Sequence, residues 1–152
     1  MKVLSVNVEK CTGCKLCEMA CSYGHFNVFS SGKSAVRIVR GKNFYMFYPN
    51  VCLQCQDAFC VRACPTSALN LENHVIKYDE KRCILCRQCF IACPWGLIYL
   101  SPDYEVMIKC DLCGGDPLCI KVCFNDAIEY VEIEDTPLTR HTFMREKNWG
   151  GK

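Results

Sequence analysis

Sixteen cysteines stand in four runs along the chain, and their spacing is the feature of the sequence with the most specific chemistry. The first run, spaced C-x2-C-x2-C-x3-C, comprises Cys11, Cys14, Cys17 and Cys21. The second, spaced C-x2-C-x4-C-x3-C and followed by Pro65, comprises Cys52, Cys55, Cys60 and Cys64. The third, spaced like the first and followed by Pro94, comprises Cys83, Cys86, Cys89 and Cys93. The fourth, spaced C-x2-C-x5-C-x3-C, comprises Cys110, Cys113, Cys119 and Cys123, so no cysteine is left over.

This spacing is typical of cysteines that bind [4Fe–4S] clusters. A cubane cluster has four iron corners that each need one thiolate, and two-residue gaps let one tight loop supply three of them. The fourth cysteine, three residues further on, points away and binds the neighbouring cluster. Pro65 and Pro94 suit the end of such a loop because proline has a fixed φ and no N–H. We therefore predict four [4Fe–4S] clusters with all sixteen cysteines as ligands.

Zinc and disulfide bonds explain the pattern less well. A structural zinc site pairs two C-x2-C knuckles and so uses four ligands in total. Three crowded cysteines followed by a fourth, repeated four times, do not form that pattern. Disulfide geometry also cannot be satisfied pairwise within such crowded triads.

The bulk properties indicate a small cytoplasmic electron carrier rather than a nucleic-acid-binding protein. The 152 residues suit one compact domain or two fused halves. The formal net charge is +2, but sixteen thiolates and four oxidised cores bring the holoprotein to about −6. Such a charge does not favour binding to phosphates. Met1–Lys10 has no export features, and no apolar run approaches the roughly 18 residues of a membrane span. We expect a cytoplasmic protein, where thiols stay reduced.

The second and third runs share a Cys-Pro ending, which the first and fourth lack. The 18 residues between Cys64 and Cys83 resemble the gap in bacterial two-cluster ferredoxins. We predict nested pairing, in which the second and third runs exchange their fourth cysteines and the first and fourth runs do the same. The ligand sets are then Cys52, Cys55, Cys60 with Cys93; Cys83, Cys86, Cys89 with Cys64; Cys11, Cys14, Cys17 with Cys123; and Cys110, Cys113, Cys119 with Cys21. Sequential pairing of neighbouring runs is the alternative, because repeats alone do not fix connectivity.

Residues 1–133 resemble the four-cluster ferredoxin-like subunits of multisubunit oxidoreductases. The segments that carry the resemblance to the short cytoplasmic branch of this family are CTGCKLCEMACS and KCDLCGGDPLCIKVC. That branch works with tungsten aldehyde oxidoreductases or carbon monoxide dehydrogenase, and the dimethyl sulfoxide reductase subunits are more distant. The resemblance implies nested pairing, no catalysis by the chain itself, and a larger tungsten or molybdenum subunit as partner. Phe124 departs from the family, in which a proline usually follows the last cysteine.

Between the runs, alternating apolar residues and turn residues predict short strands and hairpins. The expected strands are Val3–Val8, Ala35–Arg40, Phe44–Tyr48, Ala68–Leu71, Val75–Tyr78, Leu97–Leu100, Val106–Lys109 and Ala127–Ile133. Short helical turns are expected after Cys17, Cys60, Cys89 and Cys119. The predicted fold is α+β, a duplicated bacterial two-cluster ferredoxin-like fold organised around its clusters.

The predicted domain has an inner unit at about 50–100, and an outer unit formed by 1–34 and 101–133. A hairpin at 35–48 is inserted between the first two runs. The apolar core is thin, so bound clusters must contribute folding free energy. The polar tail 134–152 is either a disordered end or a docking arm anchored by Trp149.

Several residues near the runs have two interpretations. Lys10, Arg82 and Lys109 each precede the first cysteine of a run, where we favour a solvated face over charges that raise cluster potentials. The isolated histidines are expected to be surface or packing residues because cysteine supplies every ligand, and they are His25, His74 and His141. The hairpin aromatics are expected to form hairpin core and interface: Phe44, Tyr45, Phe47 and Tyr48.

Three functions remain open. The first is a dedicated subunit that relays electrons between a catalytic subunit and another redox partner, such as a flavin protein or a ferredoxin. The second is a freely diffusing polyferredoxin, or a subunit of a carbon monoxide dehydrogenase or hydrogenase. The third, an enzyme in its own right, is disfavoured because sixteen ligands leave no open iron site. The sequence has no nucleophile–base pattern and no phosphate-binding glycine loop.

Anaerobically purified protein should contain about sixteen iron and sixteen sulfide per chain, because four complete ligand sets hold four cubanes. Metal analysis and acid-labile sulfide assay measure this. A native protein loaded with zinc and free of iron would contradict the prediction.

Overall fold

The computed structural model describes residues 1–41 and 45–133 of the chain. In this part, short strands pair as antiparallel two-stranded sheets and short helices follow each cysteine loop. The strands are β1 Lys2–Val6, β2 Arg37–Arg40, β3 Phe47–Asn50, β4 Leu69–Glu72, β5 Val75–Tyr78, β6 Tyr99–Leu100, β7 Met107–Ile108 and β8 Ile128–Glu132. The helices are α1 Leu16–Phe26, α2 Phe59–Arg62, α3 Gln88–Ala92 and α4 Leu118–Lys121. Within the described ranges, no helix combines the length and the apolar character needed to cross a bilayer.

The two ends of this region pair with each other. Strand β1 runs antiparallel to β8, with Val6 opposite Ile128 and Lys2 opposite Glu132. Four of the five residues of β1 are buried, as expected for a strand that closes an apolar core. This sheet brings the first and fourth cysteine runs to the same end of the molecule, since Cys11 follows β1 and Cys123 precedes β8.

The remaining sheets are hairpins between neighbouring segments. Strands β4 and β5 are joined by Asn73 and His74, which have φ values of 48° and 66°. Positive φ at both central residues is typical of the tight turn that matches the twist of paired strands. Strands β2 and β3 form the inserted hairpin, and β6 pairs with β7. The division into inner and outer units stays a prediction.

Three predicted strands begin too early because their first amides serve a cysteine sulfur instead of a sheet. Ala68, Leu97 and Ala127 each donate the backbone N–H to the cysteine four residues before, at 3.2, 3.4 and 3.2 Å. Strands β4 and β8 therefore begin one residue after this donor, and β6 begins two residues after it. β7 has only two residues, rather than the four of the predicted Val106–Lys109.

Other predicted bounds shift for local reasons. Strand β1 stops at Val6 because Asn7 caps a 3₁₀ turn, Val8–Lys10, by accepting from the Glu9 amide at 3.0 Å. The same arrangement precedes the third run, where Asp79 accepts from the Lys81 amide at 3.0 Å. Helix α1 is longer than a single turn, since it continues past Cys21 to Phe26.

The inserted hairpin lies later than predicted and is attached to α1. It spans Arg37–Arg40 and Phe47–Asn50, and Phe44 lies outside the described residues. The Ile38 amide donates to the buried Glu18 carboxylate of α1 at 2.6 Å, and the Ala35 amide donates to Cys21 at 3.4 Å. Tyr45 is 92% exposed, so it does not belong to the hairpin core.

Two apolar clusters form the interior, and cysteines belong to both. One contains Leu4, Val36, Leu112 and Ile128 together with Cys17, Cys21, Cys52, Cys110 and Cys119. The other contains Leu69, Ile76 and Ile98 together with Cys60 and Cys89. Gln54 is fully buried and links the two regions: its side chain donates to the Cys110 carbonyl and accepts from the Ile76 amide, both at 2.9 Å. The core is thus organised around sulfur.

The first cysteine loop packs directly on the inserted hairpin. Gly13 has a φ of +72°, and a Cβ at this position would lie 2.5–2.6 Å from atoms of the Phe47 ring. Gly114, in the fourth run, has a similar φ of +69°, but a Cβ there would meet nothing within 4 Å. The two glycines therefore differ in packing and share the same backbone requirement.

Substituting Gly13→Ala should destabilise the folded holoprotein more than Gly114→Ala. Both changes place a Cβ in the left-handed region at about 1–2 kcal/mol, and only Gly13→Ala adds the clash with Phe47, at about 1–3 kcal/mol. Anaerobic urea unfolding, followed by circular dichroism and by the visible absorbance of the clusters, compares the midpoints. Equal midpoints for the two variants would show that Phe47 does not restrict this loop.

Candidate metal centres

Each cysteine run begins with the same unusual backbone conformation. The residue before the second cysteine lies in the left-handed region in all four runs: Gly13, Gln54, Leu85 and Leu112, with φ values of 72°, 47°, 55° and 59°. This conformation costs a non-glycine residue about 1–2 kcal/mol. Strained backbone of this kind concentrates at functional sites. The repetition indicates that the four loops are built for one purpose.

The third cysteine of each run is placed by a helix. Cys17, Cys60, Cys89 and Cys119 are the second residues of α1, α2, α3 and α4, in that order. All four are buried, with 4–8% exposure. The longer gaps of the second and fourth runs therefore still deliver the third cysteine to the same helical position.

The fourth cysteines accept backbone hydrogen bonds. In the second, third and fourth runs the donor is the amide four residues later, from Ala68, Leu97 or Ala127. The turn after Cys123 matches those after Cys64 and Cys93, although Phe124 replaces proline: the third residue after each cysteine donates to its carbonyl at 3.1–3.3 Å. Cys21 differs because α1 continues through it, and its donor is the distant Ala35.

A cavity at one end of the molecule is lined by four cysteines from two runs. Cys11, Cys14 and Cys17 line it together with Cys123, next to Ile38 and Pro49 of the inserted hairpin. Burial raises the pKa of Cys11, and the nearby sulfurs of Cys14 and Cys123 raise it further. This is the combination expected from nested pairing.

A second cavity has the same composition. Cys52, Cys55 and Cys60 line it together with Cys93, and its other walls include Ile76, Ile98 and Lys109. Burial raises the pKa of Cys60, and the Cys52 and Cys93 sulfurs add to this while the Lys109 ammonium opposes it. Cys93 thus lies with the second run and not with its own loop alone.

The other two sets are recognised by the effect of each sulfur on its neighbours. Burial raises the pKa of Cys89 to about 11, and the sulfurs of Cys64 and Cys83 contribute. Burial raises the pKa of Cys119 to about 12, and the sulfurs of Cys21 and Cys113 contribute. Cys64 therefore lies near the third run and Cys21 near the fourth.

These sulfur sets fit iron–sulfur clusters, which thiolates bind through four corners. Three sulfurs from one loop and one from another run face a common space in each of the two cavities. Metal binding must displace protons from the thiols whose pKa is raised, which include Cys11, Cys17, Cys89 and Cys119. The ligand assignments themselves stay predictions.

The three basic residues that precede first cysteines have different environments. Lys10 is about half exposed and lies 3.8 Å from Glu129, and Arg82 is exposed, so both fit the solvated interpretation. The interpretation is wrong for Lys109, which is only 9% exposed and donates to Cys52 Sγ at 2.9 Å. Sequence pattern could not distinguish it, because its partner lies far away in the chain.

The histidines also differ from one another. His25 is exposed, as predicted, but its Nε2 lies 3.5 Å from Cys113 Sγ and 3.6 Å from an Asp111 carboxylate oxygen. His74 is exposed and its Nδ1 lies 2.8 Å from Gln56 Oε1. The prediction for His141 lies outside the described residues. No sequence signal indicated that His25 meets the fourth run.

Two family models match overlapping parts of the chain. Residues 43–133 and residues 10–68 each match a family model described as a 4Fe-4S dicluster domain. Among solved structures, a chain of the active-site complex BamBC of benzoyl coenzyme A reductase has the same fold, with a TM-score of 0.54 and 22% identity. The match covers 99% of this chain and 91% of that one. The predicted ferredoxin-like α+β class is confirmed.

Three curated relatives match this chain along most of their own length. The polyferredoxin-like subunit of the aliphatic sulfonate oxidoreductase of Pyrococcus furiosus is 34% identical, over 93% of this chain and 83% of its own. The thiosulfate reductase electron transfer subunit PhsB of Salmonella typhi is 31% identical, over 91% and 79%. A probable anaerobic dimethyl sulfoxide reductase chain, YnfG of Escherichia coli K12, is 31% identical, over 86% and 73%.

One of these relatives is named as an electron transfer subunit and another as a polyferredoxin-like subunit, which agrees with the prediction of an electron-transfer protein that is not itself catalytic. The family models and the relatives agree with the iron–sulfur chemistry expected from the cysteine runs. The chain is an iron–sulfur electron-transfer protein and belongs to the 4Fe-4S dicluster domain family.

Proposed function

We propose that this protein is the electron-transfer subunit of an oxidoreductase complex and holds four [4Fe–4S] clusters in a line. Each cluster would be bound by the first three cysteines of one run and the fourth cysteine of another. When bound, such clusters supply one-electron redox chemistry. The observation that carries the proposal is the convergence of cysteines from two runs on each of the two cavities.

We name each ligand set after the run that supplies its first three cysteines. The order of the sites is inferred from sulfurs of one set that raise the pKa of a cysteine in another set. The Cys17 sulfur raises the pKa of Cys119, which relates the first set to the fourth. The Cys52 sulfur raises the pKa of buried Cys110, which relates the fourth set to the second. The Cys60 sulfur raises the pKa of Cys89, which relates the second set to the third. These neighbours support an order in which the site of the first run is followed by those of the fourth, the second and the third.

Exposure supports a path that is open at both ends. Of the sixteen cysteines, only Cys14 and Cys86 are exposed. Cys14 belongs to the first set and Cys86 to the third, which are the two ends of the proposed order. The sets in the middle contain the buried Cys52 and Cys110. One end would face a catalytic subunit and the other a second redox partner.

The catalytic partner that we favour is a larger tungsten or molybdenum subunit of the aldehyde-oxidoreductase type. The relatives' names, with sulfonate, thiosulfate and dimethyl sulfoxide reactions, support a partner of the oxidoreductase class. A carbon monoxide dehydrogenase or hydrogenase partner is the alternative. We propose that the complex works in the cytoplasm.

A second candidate, a freely diffusing polyferredoxin, is favoured by one observation. A relative that is 36% identical over 88% of this chain, from Methanocaldococcus jannaschii, is named as a ferredoxin. Such a carrier would exchange electrons with several enzymes without stable association.

Anaerobic size-exclusion chromatography of the protein from its own organism distinguishes these two functions. We expect co-elution with a larger cofactor-bearing subunit, because a fixed relay needs both ends docked. Deleting residues 136–152, which lie outside the described part, should weaken the association if the tail is a docking arm. A lone monomer with a full set of clusters would replace the subunit function by the polyferredoxin function.

Exchange of fourth cysteines predicts reciprocal effects of two substitutions. Cys93→Ala should lower the iron occupancy at the site of Cys52, Cys55 and Cys60, because that site loses one of four ligands. Cys64→Ala should do the same at the site of Cys83, Cys86 and Cys89. Anomalous diffraction at the iron edge measures occupancy at each site, and each variant is the control for the other. Loss confined to the substituted run's own triad would refute the exchange.

A further inference from the structure

The buried ammonium group of Lys109 lies against a sulfur atom from a different cysteine run. Lys109 directly precedes Cys110, yet its Nζ donates to Cys52 Sγ at 2.9 Å and to the Cys110 carbonyl oxygen at 2.9 Å. The residue is 9% exposed and lines the cavity that contains Cys52, Cys55, Cys60 and Cys93. Cys110, which follows Lys109 in sequence, and Cys52, whose sulfur accepts from Lys109, thus belong to different predicted ligand sets.

The charge of Lys109 is balanced by sulfur. The ion pairs found among the described residues do not involve Lys109. A buried charge is costly unless an opposite charge compensates it. Cluster binding would make Cys52 a thiolate, and this negative charge, 2.9 Å from the ammonium group, would provide that compensation.

Two residues at the equivalent sequence position lack this environment. Arg82 precedes Cys83 and is exposed, and Lys10 precedes Cys11 and is about half exposed beside Glu129. Water screens exposed charges, so their effect on a nearby site is small. Among these three, only the Lys109 charge acts inside the protein.

Resting on the proposed function, we propose that Lys109 selectively raises the reduction potential of the cluster bound by Cys52, Cys55, Cys60 and Cys93. Reduction adds one electron, and so one negative charge, to a cluster and its four thiolates, without a proton or a change of bonds. A fixed positive charge hydrogen-bonded to Cys52 Sγ stabilises the more negative, reduced form to a greater extent. Lys109 would thus make one site in the middle of the line easier to reduce.

The test is an anaerobic titration with dithionite at known potentials, followed by electron paramagnetic resonance. In Lys109→Met, which keeps the length of the side chain and removes the charge, the ratio of reduced to oxidised cluster should fall about tenfold at the wild-type midpoint. That is about 59 mV for one electron. Lys109→Arg, which keeps the charge, should stay within about threefold of wild type. Arg82→Met, at the matched position of the third run, should leave the titration of the third run's cluster unchanged.

The affected cluster is assigned with ligand variants. The signal that moves in Lys109→Met should be the one that Cys52→Ser alters, and not the one that Cys113→Ser alters. A curve for Lys109→Met that overlies wild type, an equal shift in Lys109→Arg, or a shift in the Cys113 signal would overturn the inference. Wild-type protein without about sixteen iron would instead overturn the proposed function.

A second measurement covers the case in which Lys109→Met fails to retain iron. Wild-type protein labelled with ¹⁵N only at lysine Nζ should show a nitrogen hyperfine coupling in the signal assigned to Cys52, because Nζ lies 2.9 Å from that ligand sulfur. Pulsed electron paramagnetic resonance measures this coupling. Its absence would overturn the inference without any substitution.

Discussion

Convergence of cysteine sulfurs from distant runs is the constraint on which the rest of this structure depends. In both cavities three sulfurs come from one run and the fourth from another: Cys123 joins the first run and Cys93 joins the second. The β1–β8 sheet meets the first requirement, because it joins the beginning and the end of the described region. The hairpins and short helices lie between the runs and fix their relative positions. This explains why the apolar core is small and includes sulfur.

At three strand entrances, a hydrogen bond to sulfur replaces a sheet hydrogen bond. The amides of Ala68, Leu97 and Ala127 lie at the entrances of strands, yet they donate to cysteine sulfurs. Hydrogen bonds to charged acceptors are roughly twice as strong as neutral ones. Amides placed at the sulfurs therefore contribute more than three further ladder bonds would. The left-handed residues Leu85 and Leu112 reflect the same priority, since their strain of about 1–2 kcal/mol each is maintained for loop geometry.

The sequence was informative where chemistry repeats at short range. The cysteine spacing predicted the loops that carry the runs, and helical turns were predicted after Cys17 and Cys89. Alternating apolar residues and turn residues predicted the hairpin around Asn73. The sequence also contains Asn7 and Asp79, which cap the turns before the first and third runs and which were not predicted as caps. Prediction failed for Lys109, because burial of a charge depends on packing against Cys52, 57 residues away. His25 and Cys113 meet across 88 residues for the same reason, which local pattern cannot reveal.

The order of the cysteines along the chain has a consequence for biosynthesis. A ribosome makes Cys11, Cys14 and Cys17 before the second and third runs, but their cavity partner Cys123 belongs to the fourth run and is made after both. The site with Cys52 is complete once Cys93 has been made. With the proposed pairing, iron–sulfur delivery to the nascent polypeptide can complete the sites of the second and third runs first, whereas the site with Cys11 waits for Cys123. During that interval the thiols of Cys11, Cys14 and Cys17 in the nascent chain lack their final partner, and they need protection from other metal ions and from oxidants.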